Sequence, residues 1–258
     1  MSPAVVLSTP FFHRRLAPGE RSALLHGILD RVRAQRASGP AVVVFDLDGT
    51  IMDNRPRVVA ILHELAEHWA PRHPEAAACC ARATKDDIGY GFIANLRRVG
   101  VEGAALHEEG LAFWKERFFG GPHVKHDIEV RGAGAFARAV YDAGAVVVYL
   151  TGRDLPNMAL GSFASLRDLG FPIGLIGTEL VVKPRFETPD LEFKRAVAPD
   201  LCRLGAVVAV FDNEPANVNV LLEAHPASVG VLLDTQYAPD PPPLDARAAV
   251  IHTLELDP

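Results

Sequence analysis

The chain has 258 residues, of which 49% are hydrophobic and 22% charged, with a formal net charge of −6. That length suits one large α/β domain, or a core with a smaller insertion. The acidic balance argues against a nucleic-acid-coating surface or an anionic-membrane binder, while leaving room for a local basic phosphate pocket. The three cysteines, Cys79, Cys80 and Cys202, fit neither a disulfide framework nor a zinc spacing, so reduced thiols are expected. No apolar stretch approaches the ~20 residues of a transmembrane helix. Ala4-Val5-Val6-Leu7 is too short for a signal-peptide core, and Arg14 and Arg15 follow rather than precede it. The expectation is a cytoplasmic protein with no membrane and no nucleic-acid partner.

Pro18 to Ala37 predicts a helix, because Leu24, Leu25, Ile28, Leu29 and Val32 form one apolar face, and Ser38-Gly39-Pro40 ends it. Ala41-Val42-Val43-Val44-Phe45 reads as a strand buried on both faces of a parallel sheet. It runs directly into Asp46-Leu47-Asp48-Gly49-Thr50. Two carboxylates two residues apart thus sit at the carboxyl end of a buried strand, where open α/β sheets bind their ligands. The pair suits a hard metal ion and a carboxylate nucleophile.

From about Arg55 to Phe119 the β-branched alternation disappears. Val58, Ile61, Leu62, Leu65 and Trp69 predict one helix. Phe92, Ile93, Leu96 and Val99 predict a second, and Leu106, Leu111, Phe113, Trp114 and Phe118 a third. Pro71, Pro74, Gly89, Gly100, Gly103 and Gly120-Gly121 mark breaks. An ordinary strand-to-helix loop has about 2–6 residues, so this segment is a helical insertion.

Alternation then resumes. Phe136–Asp142 predicts a helix, Ala145–Leu150 a buried strand followed at once by Thr151-Gly152-Arg153, and Leu160–Leu169 a helix. Ile173–Ile176 and Leu180–Val182 predict short extended pieces, Asp190–Leu204 a helix, and Ala206–Phe211 a third long strand leading into Asp212-Asn213-Glu214-Pro215. Pro215 opens a helix through Leu222, Val229–Leu233 is a further strand, and a short edge strand is expected near Val250-Ile251. Right-handed crossovers put the Asp46/Asp48, Thr151 and Asp212 clusters on one edge of one sheet. Any one of them would pass as a helix cap; three in register, one an Asp-x-Asp, are not explained by capping alone.

The ordered set resembles the haloacid dehalogenase superfamily in its phosphatase-type branch, over about Ala41 to Leu233. A strand followed by Asp-x-Asp-Gly-Thr (Asp46 to Thr50) resembles the family's first motif and is the specific one. Leu150-Thr151-Gly152-Arg153, a helix-borne lysine and Phe211-Asp212-Asn213-Glu214 resemble the second to fourth. The resemblance implies a Rossmann-like three-layer α/β/α core with a central parallel sheet, made of residues 1–53 (with an N-terminal helical arm, 1–40) and 124–258. It also implies a mostly α-helical cap at 54–123.

The activity it implies is a Mg²⁺-dependent phosphatase that hydrolyses a small phosphorylated metabolite through an aspartyl-phosphate. Asp46 would be the nucleophile. Asp48 would be the general acid and then the base, and its pKa is expected to be raised so that the acid form persists near neutrality. Mg²⁺ would bind Asp46, the backbone carbonyl of Asp48, Asp212 and Asn213, with waters. Thr151 and the substrate-binding set Gly49, Thr50, Gly152 and Arg153 would meet the phosphoryl group. Lys194 is the favoured motif lysine because its helix starts at the catalytic edge; Lys183, followed by Pro184, is the alternative.

Asn213 departs from the commoner Asp-Asp form of the fourth motif. Glu214 would either restore that charge or sit at a helix N-terminus, and Asn217 is a further candidate contact. A halide leaving group needs no proton and an alkoxide does, so Asp48 favours phosphoryl transfer over dehalogenation. A phosphotransferase or phosphomutase sharing the intermediate, and a weakly active phospho-ligand binder, remain alternatives. A nucleic-acid 3′-phosphatase, faintly resembled by Lys183 to Asp212, is disfavoured by the acidic balance. Candidate substrate contacts are Asn54 and Arg55 at the hinge, and Lys85, Arg97, Arg98, Trp114 and Lys115 on the cap. His123 and His126 read as surface histidines rather than a metal pair, and Arg153 as either a phosphate ligand or a structural ion pair. The sequence is silent on substrate identity and oligomeric state.

Overall fold

A computed structural model describes residues 14–256; Ala4–Leu7 and the start of the N-terminal arm lie outside the described residues. Helix α1 (Pro18–Gln35) leads into β1 (Ala41–Phe45). After β2 (Met52–Asp53) come helices α2 (Arg55–Trp69), α3 (Pro74–Ala81), α4 (Phe92–Arg98) and α5 (Ala104–Phe118), and the chain returns at β3 (Ile128–Glu129). The remainder alternates: α6 (Ala133–Asp142), β4 (Val146–Asp154), α7 (Leu155–Asp168), β5 (Thr178–Lys183), α8 (Asp190–Val197), β6 (Ala206–Asp212), α9 (Pro215–Ala224), β7 (Val229–Leu233) and β8 (Ala249–Ile251). Among the described residues, six strands form one sheet in the order β5-β4-β1-β6-β7-β8, and every ladder in it is parallel.

The β-branched run of β1 explains its central place. Ala41, Val43 and Phe45 join the core on the face covered by α1 and α6, while Val42 and Val44 join the core on the opposite face, under α8 and α9. Both faces are dry, as a parallel sheet requires. Phe45 stacks on Phe211 at 4.8 Å between ring centroids and meets Phe136 edge-on at 6.1 Å, which locks β1, β6 and α6 together. The α1 helix packs on β1, β6 and α6, and its buried Arg21 donates to Thr253 Oγ1 at 2.7 Å, pinning the C-terminal segment.

The insertion has its own core around Leu62, Leu65, Trp69 and Leu96. Each buried aliphatic there contributes roughly 1.5–3 kcal/mol. It joins the sheet domain through the β2–β3 ribbon, where Met52 pairs with Glu129 and Asp53 with Ile128. Among the described residues no helix is long and apolar enough to cross a membrane. Cys79, Cys80 and Cys202 are free thiols.

Four details depart from the sequence reading. The predicted helix Asp190–Leu204 stops at Val197 and tightens into a 3₁₀ segment, Ala198–Arg203, because Pro199 supplies no N–H. Ile173–Ile176 is a turn rather than a strand. Its positive-φ glycines, Gly174 and Gly177, reverse the chain before β5. Strand β4 continues to Asp154, so Thr151, Gly152 and Arg153 lie within it rather than after it. Helix α3, opened by Pro74 at its first position, and the two-residue ribbon carry too few large apolar residues to be seen by periodicity.

Candidate active site

The carboxyl ends of β1 and β6 lie side by side, where the Asp46 N–H donates to the Phe211 carbonyl at 2.9 Å. Lys194, from the first turns of α8, reaches between them. Its Nζ donates to Asp46 Oδ1 at 2.8 Å and Asp212 Oδ2 at 2.7 Å, and stands 3.5 Å from Asp190 Oδ2. Lys183 instead donates to the carbonyls of Phe186 and Thr188, at 3.2 and 2.8 Å, shaping the loop before α8. Thr50 Oγ1 sits between Asp46 Oδ2 (2.9 Å) and Asn213 Oδ1 (3.2 Å). Asp212 Oδ1 accepts from the Glu214 N–H (2.9 Å) and Asn217 Nδ2 (3.2 Å). Gly49 has φ +80°, and a side chain there would strike the Asn213 amide. A side chain at Gly152 would strike the Asp190 carboxylate.

This half of the site holds too much negative charge for its cations. Burial raises the Asp46 carboxyl; Lys194 opposes that, and Asp212 and Asp190 add to it. Asp212 is raised as well, chiefly by burial, against the pull of Lys194. Lys194 stays protonated, since its three carboxylates outweigh its desolvation. One ammonium cannot neutralise all three acids.

Asp48 lies in the opposite environment, which corrects the expected rise of its pKa. Burial pushes its carboxyl up, but the guanidinium groups of Arg153 and Arg57 outweigh that and hold it well below the usual carboxylate range. Arg153 forms a fork on it, Nε to Oδ2 at 2.7 Å and Nη2 to Oδ1 at 2.8 Å. Arg57 Nη2 and Asn54 Nδ2 also donate to Oδ1, at 2.8 and 3.2 Å. Both arginines share the fully buried Asp127, at 2.5 Å from Arg57 and 2.6 Å from Arg153. Arg153 is therefore an ion-pairing residue at the cavity wall, not a free phosphate fork.

A cavity of about 350 Å³ lies over these groups, lined by Asp46, Asp48, Thr151, Gly152 and Lys194 below and by residues of the insertion above. Of the candidate contacts on the hinge and insertion, Asn54 and Trp114 line it, whereas Arg55, Lys85, Arg97, Arg98 and Lys115 do not. Arg55 is paired with Asp53 at 2.6 Å, and Arg98 Nη1 donates to the Asp87 carbonyl. His123 is half-buried against Glu64 at 2.9 Å rather than a surface histidine. Glu214 occupies the position before α9 without a side-chain bond to the helix, and its carboxylate accepts the Ala238 N–H at 2.9 Å; burial raises its carboxyl to about 7. Sequence reasoning missed Arg57, Asp127, Asp190 and Tyr90. Only Asp190 left a signal: it stands four residues before Lys194, one helical turn away.

Among the described residues no three His, Cys, Asp or Glu side chains form a metal cluster by themselves. The Asp46 and Asp212 carboxylates, joined through Lys194, and the Asn213 amide oxygen, joined to Asp46 through Thr50, make an oxygen-only donor set. Together with the unneutralised charge around Lys194, that set fits a hard cation that keeps part of its water.

A model of the haloacid dehalogenase-like hydrolase family matches residues 40–224. No curated protein sequence matches the chain. Among solved structures, it is similar to a Clostridium difficile protein described as a "Putative Phosphatase", at 14% identity and a TM-score of 0.53, over 82% of this chain and 94% of that one. It is also similar to Protein Tyrosine Kinase A of Mycobacterium tuberculosis, at 17% identity and a TM-score of 0.54, over 83% and 94%. At those identities the likeness is one of fold. With the family model spanning most of the sheet domain and the whole insertion, the chain belongs to the haloacid dehalogenase-like hydrolases.

Proposed function

We propose that this hydrolase is a phosphomonoester phosphatase that uses Mg²⁺ and passes through an aspartyl-phosphate on Asp46, with residues 54–123 acting as a helical cap. The observation that carries this reading is the Asp46–Lys194–Asp212 bridge at the floor of the cavity. Lys194 orients Asp46, and Thr50 fixes its second oxygen. An Asp46 oxygen attacks phosphorus; the new O–P bond forms as the ester P–O bond breaks. Thr151 and the Gly152 backbone lie along the cavity, where they would receive the phosphoryl oxygens. Asp46, Asp212, Asn213 and the Asp48 carbonyl would hold the Mg²⁺, which would supply positive charge to offset the repulsion between an anionic nucleophile and an anionic ester.

Asp48 supplies the proton to the leaving alkoxide and takes one from the attacking water. To bind that proton its carboxylate must leave the two guanidinium groups, and Asp127 keeps both arginines paired when it does. The test is hydrolysis of p-nitrophenyl phosphate with Mg²⁺ and with EDTA, followed by mass spectrometry of acid-quenched protein. Metal-dependent release with a phosphopeptide covering Asp46 supports the reading; no release under any divalent cation sinks it. Turnover in ¹⁸O-water separates a hydrolase, which labels the phosphate, from a phosphotransferase, which passes the group to an added sugar.

A further inference from the structure

The two edges of the sheet are finished differently. Outside β8, the Leu16 N–H donates to the Val250 carbonyl at 2.9 Å, so the segment before α1 covers that edge. Among the described residues β5 pairs with β4 alone, and its outer edge is open. The Gly177 carbonyl accepts from the Val147 N–H at 2.9 Å, which turns Gly177 toward β4. Backbone groups alternate in direction along a strand, so those of Leu180 and Val182 point outward. Such a row is a template for another strand, and proteins usually guard it with proline or charge. Strand β5 holds no proline, and its one exposed charge is Glu179. Lys183 is buried and turns its ammonium onto the Phe186 and Thr188 carbonyls.

The surface around this edge is apolar. Of the eight exposed large hydrophobic side chains among the described residues, six flank β5: Leu155, Leu160 and Phe163 on α7, Leu175 and Ile176 just before the strand, and Phe186 just after it. Ile176 is 99% exposed and Leu160 89%. A side chain at Gly174 would meet the Phe163 ring, so this face of α7 looks toward the start of β5, and Leu160 lies one helical turn from Phe163. Single exposed apolar groups are ordinary; a cluster beside an open strand marks an interface.

The edge is complementary to itself. A two-fold axis through Val181, perpendicular to the sheet, sets Leu180 against Val182 of a second copy and joins their outward backbone groups. The same register sets Glu179 against Lys183 of the second copy. Lys183 Nζ uses two of its three protons on carbonyls, which leaves one for that carboxylate. Moving the axis to Leu180 would set Glu179 against Val181 and bury the acid without a partner. Residues 174–188 and the outer face of α7 together reach the lower end of the about 20–30 residues per side that a stable interface uses.

We infer that this chain forms a two-fold homodimer in which β5 pairs antiparallel with β5 of a second copy. The two sheets become one, and Leu160 and Phe163 of both α7 helices meet on one face of it. The inference does not depend on the phosphatase reading. Sedimentation velocity on the full chain at micromolar concentration is expected to show a dimer. Leu160→Glu and Ile176→Lys alter exposed groups, should leave the far-UV circular dichroism unchanged, and should each raise the dissociation constant at least about tenfold. Val181→Cys would face itself across the axis, with α-carbons about 4.5–5.5 Å apart, a span that a disulfide bridges. Mild oxidation should then give a covalent dimer above the background that the exposed Cys202 gives in the unsubstituted chain.

A monomer in the unsubstituted sample overturns the inference. So does a dimer that neither Leu160→Glu nor Ile176→Lys weakens, and so does Val181→Cys protein that cross-links no more than the background.

Discussion

Asp46 and Asp48 are separated by one leucine and live in opposite electrostatic surroundings. Around Asp46, three carboxylates share one ammonium, and the acid is pushed toward its neutral form. Around Asp48, two guanidinium groups share two carboxylates, and the acid is driven toward its anion. Burial is common to both, so it does not decide the sign. The neighbours do, and they come from different parts of the chain: the sheet domain supplies those of Asp46, while the insertion and its return segment supply Arg57 and Asp127 to Asp48. The first surroundings are short of positive charge, as a cation site should be. The second are balanced without one.

The largest expected effect falls on the acid-rich side. Asp46→Asn removes the proposed nucleophile, and phosphate release should drop by about four orders of magnitude or more, measured with p-nitrophenyl phosphate. Retained turnover would separate Asp46 from the chemistry altogether. On the arginine side, Asp127→Asn leaves two buried guanidinium groups with one carboxylate. It should cost about 3–5 kcal/mol in urea denaturation, the usual penalty for breaking a buried pair.

Cation binding sharpens the contrast further. At a hundredfold excess over its dissociation constant, Mg²⁺ should stabilise the protein by about 2.7 kcal/mol. In Asp212→Asn that gain should shrink, whereas Asp127→Asn should keep it; thermal unfolding with and without EDTA reads both.

The smallest effect is in the pH dependence of stability in EDTA. The raised Asp46 group keeps its proton in the native state where the unfolded chain has lost it, so its contribution falls as pH rises above the ordinary value of 3.8. Asp48, depressed, contributes stability that is present above that value and lost as pH falls below it. Each limb has a slope of at most about 1.4 kcal/mol per pH unit. Asp46→Asn should flatten the upper limb and Asp48→Asn the lower; the same limb flattened in both variants would abolish the distinction.

The sheet and the acids at its carboxyl edge are legible because their signals are local. Val42 to Phe45 runs straight into Asp46, and Val207 to Phe211 straight into Asp212, so the strand and the group it delivers are contiguous in the chain. Lys194 was legible because its helix start returns to the same edge. The arginine cluster was not. Arg57 and Asp127 are 70 residues apart, and each looks like an ordinary surface charge in sequence. Only closure of the β2–β3 ribbon makes them neighbours. The pKa of Asp48 was misjudged for that reason: the residue types needed to lower it were present, but their adjacency was not written in the spacing. Trp114 was noticed as a candidate contact, yet its stacked partners Phe92 and Phe118 read as plain helix core.

Arg57 belongs to α2, and its side chain lies over the Phe118 ring, 4.5 Å from the centroid. It is thus anchored to the helices of the insertion while it grips an acid of the sheet domain. Swinging those helices outward would strip Asp48 of one of its two positive neighbours and make it a better proton acceptor. In the proposed cycle, protonation of Asp48 and admission of a new molecule would then be one event, set by the position of a single arginine.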